Sequence, residues 1–494
     1  MRYIGALDQG TSSTRFIIFG HDGLPIADAQ REHQQMLPQS GWVEHDADEI
    51  WRRCKEVILE ALYKAEITPS DLAAIGITNQ RETTVAWDYG TGKALHSAIV
   101  WQDTRTAQSL ASLNDDDSQY ITQSSGLPIS AYFSASKMRW LAENCPDVQA
   151  AISHGTARFG TIDSWLLYKL TGGAHLTDVT NASRTLLMNL ETLQWDPRAL
   201  KIFNIPQNLL PEIRSSSEIY GYTDVNGFLK ASIPIAAILG DQHAAMVGQV
   251  AFSRGDSKTT YGTGNFALLN TGSEIVRSRN GLLTTLSYKF GDQPPCYALE
   301  GSVAVTGSAV QWLRDQLGII ESAAEIEELA SRVEDTDGLY FVPAFSGLFA
   351  PYWRSDARGV VVGLTRASNK NHLARAALEA ICYQTRDVIE AMAADSGVRP
   401  QVMRVDGGAT VNNLLMQMQS DISGCEVVRP RVTETTALGA AFAAGLAVKY
   451  WTSTDELVEL WQRSHSWIPT ISESDRSRGY ELWKKAIERT LNWA

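Results

Sequence analysis

Cysteine is scarce in this chain, with five in 494 residues, all widely separated and none in a CxxC pair. That excludes a disulfide framework and a thiolate zinc site, and makes a reducing cytoplasm the expected compartment. The nine histidines are scattered, with no HExxH or other metal spacing. Long apolar runs are also missing. The longest small-apolar stretch, Ala437 to Val448, falls well short of the ~20 residues of a membrane span, and the first residues carry no apolar core of a secretion signal. A surplus of positive charge is absent too: 43 Lys and Arg face 56 Asp and Glu, a net charge of −13. This argues against a nucleic-acid surface but leaves room for a local cationic pocket. No tract is of low complexity, and Asp115-Asp116-Asp117 reads as a solvated loop.

What is present is ordinary globular composition, 44% hydrophobic and 20% charged, in a chain long enough for two large domains. Tyr3-Ile4-Gly5-Ala6-Leu7 and Phe16-Ile17-Ile18-Phe19 read as two strands around Asp8-Gln9-Gly10-Thr11-Ser12-Ser13-Thr14-Arg15. Gly10 lets backbone approach an anion, the hydroxyls of Thr11, Ser12 and Ser13 add donors, and Arg15 adds a cationic fork. Asp8 is a hard oxygen ligand suited to Mg²⁺. The loop alone reads equally well as a plain polar hairpin. The pattern recurs half a chain later, where Ser257 to Tyr261 leads through Gly262-Thr263-Gly264-Asn265 into Phe266-Ala267-Leu268-Leu269. Two such hairpins, one opening each half, imply a duplicated architecture with a nucleotide between the halves.

The remaining punctuation is α/β. A helix is expected over 46–63, strands over 72–78 and 83–87, a helix over 136–143 and a strand over 233–239 with a small-residue helix behind it. The second half offers a strand at 297–299, a helix from Gly307, a long helix over 371–392, a strand at 402–405 and a helix opened by Asn412. The boundary falls near 248–254, giving domains 1–249 and 250–494. Two glycine patterns mislead. Gly5 to Gly10 lacks the lysine of a Walker A loop, and Gly262-Thr263-Gly264-Asn265-Phe266-Ala267 runs into a strand where a dinucleotide fold has a helix.

Several segments together resemble the FGGY family of carbohydrate kinases, and within it the branch that phosphorylates glycerol. They are Leu7-Asp8-Gln9-Gly10-Thr11-Ser12, Ile77-Thr78-Asn79-Gln80-Arg81-Glu82-Thr83, Tyr132 to Leu141, Gly240-Asp241-Gln242, Tyr261-Gly262-Thr263-Gly264, Gly363-Leu364 with His372 to Glu379, and Asp406-Gly407-Gly408-Ala409. The likeness runs from residue 3 to about 450. It implies two duplicated actin/Hsp70-like (ribonuclease H-like) ATPase domains flanking a central cleft. It further implies ATP and Mg²⁺ as cofactors, glycerol as substrate, sn-glycerol 3-phosphate as product, and a cytoplasmic homo-oligomer. By resemblance Asp241 is the catalytic base, Arg81, Glu82, Tyr132, Asp241 and Gln242 hold glycerol, and Trp101 and Phe266 wall its carbons. Thr11, Ser12, Ser13, Arg15, Thr263, Gly307, Gln311, Gly408 and Asn412 hold the nucleotide, and Asp8 with Asp241 holds Mg²⁺, largely through water.

From the residues alone, Arg81 and Glu82 also read as an exposed strand-end ion pair, and Asp241 as a helix N-cap. Trp101 and Phe266 also read as ordinary core. Kinases of other polyols or sugars, such as xylulose or a tetritol, and a non-catalytic ATP-binding protein of the actin/Hsp70 type are the competing readings. The sequence departs from the family at 225–234, where Lys230 is the only cation and Phe228-Leu229 replace the glycine cluster of a fructose 1,6-bisphosphate loop. No histidine stands between His175 and His243 for phosphorylation, and Phe349 stands where a glycine is expected.

Overall fold

The computed structural model describes residues 2–494. Its first sheet is built by β1 (Tyr3–Gln9), β2 (Ser13–Phe19) and β3 (Pro25–Glu32), then, beyond the helix α1 (Ala47–Lys64), by β4 (Leu72–Asn79) and β5 (Pro234–Gly240). The order is β3-β2-β1-β4-β5, with the strand Ser217–Tyr222 added at the edge. β1 pairs antiparallel with β2, β2 antiparallel with β3, while β1, β4 and β5 run parallel. Helix α2 (Asp241–Gly248) follows β5 directly. Alternation sorts the faces of this sheet. Leu7, Phe16, Ile18 and Ile77 pack toward α1, and Ile4, Ala6, Ile17 and Phe19 toward the other half of the chain.

The second half repeats the plan. Strands β6 (Ser257–Tyr261), β7 (Asn265–Gly272) and β8 (Cys296–Val303) form an antiparallel meander. Helices α3 (Gly307–Asp315) and α4 (Lys370–Ser396) precede β9 (Val402–Asp406). Helix α5 (Asn413–Ser423), strand β10 (Glu426–Pro430) and helix α6 (Thr435–Ala447) complete it. The order β8-β7-β6-β9-β10, with β6, β9 and β10 parallel, is that of the first sheet. The chain therefore carries two ribonuclease H-like α/β units of one topology, as its paired hairpins imply. Residues beyond 450 extend the second unit: Arg463–Trp467 pairs with β10, and Trp483 in the helix Glu473–Glu488 donates its indole N–H to Asp387 of α4.

Helices α2 and α6 bring the halves together. α6 belongs to the second unit, yet its alanines pack in one core with Ile4, Ala6 and Ala74 of the first sheet. The crossing is so close that a Cβ on Gly439 would lie 1.8 Å from the Ala244 carbonyl oxygen, and one on Gly248 1.9 Å from that of Thr435. Only glycine permits this backbone approach.

One sequence expectation is corrected. Asp115 to Asp117 are the first turn of the helix Asp115–Ser125, capped by Asn114, where carboxylates are favoured by the helix dipole. The strand after Glu82, Thr84–Asp88, belongs to a separate five-stranded sheet. Arg81 and Glu82 thus occupy the corner between two sheets, and Glu82 takes a φ of 61° to make it.

Candidate active site

The corner is buried, not exposed. Arg81 and Glu82 are 3% and 1% accessible. Arg81 donates through both terminal nitrogens to Glu300 of β8, at 2.7 and 3.0 Å, and its Nε lies 3.1 Å from Asp241 Oδ1. Arg184 donates from Nε to Glu82 Oε1 at 2.6 Å and reaches both Glu300 oxygens at 3.3 Å. Burial opposes ionisation of Glu300, but the Arg184 and Arg81 guanidiniums outweigh it and hold its carboxyl well below the ordinary range. For Glu82 burial wins, and its carboxyl is pushed up despite the same two arginines.

Asp241 is the first residue of α2, and the cap position is Gly240. The Asp241 Oδ1 atom accepts from the Gln242 backbone N–H at 2.6 Å. Lys258 of β6, fully buried, donates to Gln242 Oε1 and to Thr260 Oγ1. The Tyr132 ring stacks edge-on to Trp101 at 5.4 Å. Burial raises the Tyr132 phenol, which stays a neutral donor. Its turn is fixed by Lys137, whose ammonium donates to the carbonyls of Ala131, Tyr132 and Phe133 at 2.5, 2.7 and 3.2 Å. Cross-strand register puts Phe266 on the sheet face of Glu300: Phe266 pairs with Ser302 and Leu268 with Glu300, and side chains two apart share a face. Among the described residues, four polar atoms of the expected glycerol ligands make no hydrogen bond, namely Asp241 Oδ2, Glu82 Oε2, Gln242 Nε2 and the Tyr132 hydroxyl, and the buried Nδ1 of His243 beside them is likewise without a partner.

At the first hairpin, the Gly10 N–H closes the turn onto the Ser13 carbonyl at 2.8 Å. Gln80, at the end of β4, clamps this loop. Its N–H donates to the Gln9 carbonyl at 2.7 Å, and its amide to Gln9 Oε1 and the Gly10 carbonyl at 3.0 and 3.3 Å. Thr11 accepts from the Trp101 indole at 3.0 Å, which fastens the loop to the aromatic wall. Ser13 accepts from Gln30 at 2.8 Å. Arg15 is engaged rather than free: it donates to Gln30 Oε1 at 2.6 Å and pairs with Glu434 before α6. Asp8 sits opposite Arg15 in register. Burial, with Asp241 and Glu434 adding repulsion and Arg15 opposing, raises its carboxyl to about 7.

A cavity of about 390 Å³ gathers Thr263 of the second hairpin with Gly307, Gln311, Gly408 and Asn412, five of the residues expected to hold the nucleotide, with Ile326, Leu378 and Leu415 as apolar lining. Thr11, Ser12, Ser13 and Arg15 do not line it and stay at the first hairpin. The α3 N-terminus is not open to an anion. The N–H groups of Thr306 and Ser308 donate to the Thr263 carbonyl, and that of Gly307 to Gly262, at 3.0 to 3.2 Å. Glycine is needed at 307 because a Cβ would come 2.7 Å from the Gly262 oxygen. The Asn412 side-chain oxygen caps α5 by accepting from Leu415 N–H at 2.8 Å. At 225–234, Phe228 packs edge-on against Trp51 and Leu229 joins the first core. Phe349 stacks on Trp353, and the neighbouring turn is carried by Gly347 with φ 100°.

Arg184, Glu300 and Lys258 escape the sequence reading. The signal they offer is a lone charge inside an apolar or hydroxyl-rich strand or turn, and such a charge is buried only when paired.

Two like-built ATPase-type units, a buried ion network between them and a nucleotide-sized cavity in the second unit define a two-domain small-molecule kinase. The description "FGGY family of carbohydrate kinases, N-terminal domain" matches residues 3–248, and the C-terminal counterpart matches 258–448. The chain belongs to the FGGY family of carbohydrate kinases. It is 60% identical to glycerol kinase 1 of Streptomyces coelicolor, over 99% of this chain and 98% of that protein. To the glycerol kinase of Mycobacterium tuberculosis it is 57% identical, over 99% and 96%. Its structure matches that of Plasmodium falciparum glycerol kinase with ADP at a TM-score of 0.93 and 40% identity, covering 99% and 98% of the chains. A xylulose kinase from Lactobacillus acidophilus shares the fold, at a TM-score of 0.86 and 22% identity over 99% and 98%. Among the described residues no helix is long and apolar enough to cross a membrane.

Proposed function

We propose that this protein transfers the γ-phosphoryl group of ATP to glycerol, giving sn-glycerol 3-phosphate and ADP, with Asp241 as catalytic base. The observation that carries the reading is the set of four uncommitted atoms around the ion network. Asp241 Oδ2 and Glu82 Oε2 can only accept, Gln242 Nε2 can only donate, and the Tyr132 hydroxyl can do either. A small triol, each hydroxyl donating once and accepting once, matches that set, while Trp101 and Phe266 supply apolar surface for its carbons. The relatives at 57 to 60% identity carry the name glycerol kinase, which supports glycerol over the sugars.

In the reaction the glycerol oxygen bonds to the γ-phosphorus as the bond to the β–γ bridging oxygen breaks. The hydroxyl proton passes to Asp241 Oδ2. An aspartate, ordinarily near pKa 3.9, cannot form a free alkoxide beforehand. In a loose phosphoryl-transfer transition state it need only orient the hydroxyl and take the proton late. Arg81, tied to Asp241 Oδ1, leaves Oδ2 as the basic atom. Asp8 and Asp241 are the residues that would hold a divalent cation such as Mg²⁺, largely through water, since among the described residues no three carboxylates, histidines or cysteines converge into a closed metal site. When bound, such a cation offsets the charge of the transferring phosphates. The adenosine would occupy the cavity around Gln311 and Asn412. All five cysteines are free, as a cytoplasmic enzyme allows. A coupled ADP-release assay over a panel of polyols and sugars tests the proposal: glycerol should give the highest kcat/KM, and negligible turnover of glycerol beside rapid turnover of another polyol would overturn it.

A further inference from the structure

Gln242 is the polyol-facing group whose hydrogen-bonding character depends on which way its side chain is turned. A side-chain amide carries an acceptor at one end and donors at the other, and a half-turn exchanges them. In this structure Gln242 is 7% accessible, and its oxygen meets the ammonium of Lys258, which is itself fully buried and also donates to Thr260 Oγ1 at 2.9 Å. An ammonium offers donors only. The reversed amide would set N–H against N–H in a site closed to water, and a buried donor left without a partner is costly. We propose that Lys258 is a positioning residue for polyol selectivity: it locks the Gln242 amide with its oxygen inward, so that Gln242 meets the substrate solely as a donor.

The consequence is chemical. Around the cleft Asp241 Oδ2 and Glu82 Oε2 only accept. Were Gln242 free to turn its oxygen outward, a substrate hydroxyl could face acceptors alone, and its own lone pairs would go unused. With the amide locked, that hydroxyl accepts from Gln242 and has its proton directed to a carboxylate. A substrate carbon without the hydroxyl strands the Gln242 N–H₂, and such stranding is how polar sites reject deoxy analogues. Lys258 stands on the first strand of the second unit and Gln242 on α2, so selectivity at the polyol end depends on the seating of the second sheet against that helix.

The inference rests on the glycerol-kinase reading, and the two fail differently. Wild-type turnover of glycerol tests the reading, whereas the variants, compared with wild type, test Lys258. Steady-state kinetics would be measured for wild type, Lys258→Met, Gln242→Ala and the double variant, with glycerol, propane-1,2-diol and propane-1,3-diol, and ADP affinity by calorimetry. Lys258→Met is expected to raise the KM for glycerol about ten-fold, the loss of one good hydrogen bond, with ADP affinity unchanged. In the Gln242→Ala background the same substitution should change KM less than two-fold, and preference for glycerol over the diol that lacks the Gln242-facing hydroxyl should fall about ten-fold. If Lys258→Met does not fold, Lys258→Gln fills the slot but can present oxygen or nitrogen to Gln242, and the same loss of preference is expected. An unchanged KM and preference, or an equal rise of KM with and without Gln242, would overturn the proposal.

Discussion

Glu300→Gln perturbs the network at the atom pair on which both arginines converge. The substitution keeps shape and one oxygen but removes the charge that balances Arg81 and Arg184, each buried and each reaching across from the first unit. Removing one partner of a buried pair costs about 3–5 kcal/mol, and because glutamine retains an acceptor, the lower end, about 3 kcal/mol, applies. For a unit of this size 1 kcal/mol moves the melting temperature by about 2–4 °C, so a fall of roughly 6 °C or more is expected. The sign with pH follows from the depressed Glu300 carboxyl. Stability from such a group is fully present above the unfolded value near 4.3 and is lost as pH drops below it toward the folded value. The gap between wild type and variant should be flat from pH 6 to 9 and close only in acid. Calorimetric melting of the ligand-free proteins across that range and into acid is the assay. A gap under 1 °C at pH 7, or one that fails to close in acid, would refute the account of Glu300 as the common anchor.

Other outcomes follow from the same geometry. Asp241→Asn should keep glycerol and ADP binding while kcat falls about 10²–10⁴-fold, the usual worth of a general base; near wild-type kcat in steady-state assays would remove Asp241 from the reaction. A Cβ on Gly408 meets nothing within 4 Å and opens into the nucleotide cavity. Gly408→Val should therefore raise the KM for ATP at least about ten-fold, in line with the 1–3 kcal/mol of overpacking, without altering glycerol KM or melting temperature. Gly439→Ala has no such space, and its methyl would collide with the Ala244 carbonyl. It should cost about 3 kcal/mol, read as a lower urea midpoint.

How much of this was legible beforehand depended on where a residue's partner lies in the chain. Both hairpins, their duplication and the strand-end position of Asp241 are local matters, written in glycine, hydroxyls and apolar runs over ten or fifteen residues. So are the helix caps: Asp46 accepts from Asp48 N–H, and Asn412 from Leu415 N–H, where a helix start was expected. The five residues that meet in the second-half cavity were named from the resemblance, though Gly307 acts by close approach to Gly262 and not by offering N–H groups to an anion. What no local pattern reveals is the ion network. Arg81 finds Glu300 across 219 positions, Arg184 finds Glu82 across 102, and the partner of Arg15 is Glu434. Each charge alone reads as a solvated strand end or turn, and only the closing of two sheets on one another makes it a buried pair. The acidic run at 115–117 fails for the opposite reason: its charges are exposed, but a helix N-terminus welcomes them.

The two ends of the cleft solve different electrostatic problems. At the end proposed for the polyol, Arg81 and Arg184 stand against Glu82 and Glu300, two cations and two anions in one buried network, with Asp241 part-exposed at its rim and Lys258 facing Asp406 as well. The two pairs sum to zero, so in the proposed site an uncharged triol would meet no net charge from them and would exchange hydrogen bonds for hydrogen bonds. At the first hairpin the balance fails. Asp8 and Glu434 face the single cation Arg15, and burial raises Asp8 to about 7 with the surplus of negative charge adding to it. A polyphosphate brought to that end alone would meet carboxylates it repels. A divalent cation removes the conflict on both sides at once, and Asp241 lies where the two ends meet: its Oδ1 is held by Arg81 of the neutral network, while its charge helps raise Asp8. If Asp241 is the base, as proposed, that boundary would give it a neutral hydroxyl on one side and a charged donor on the other, which is the arrangement a phosphoryl transfer to an alcohol requires.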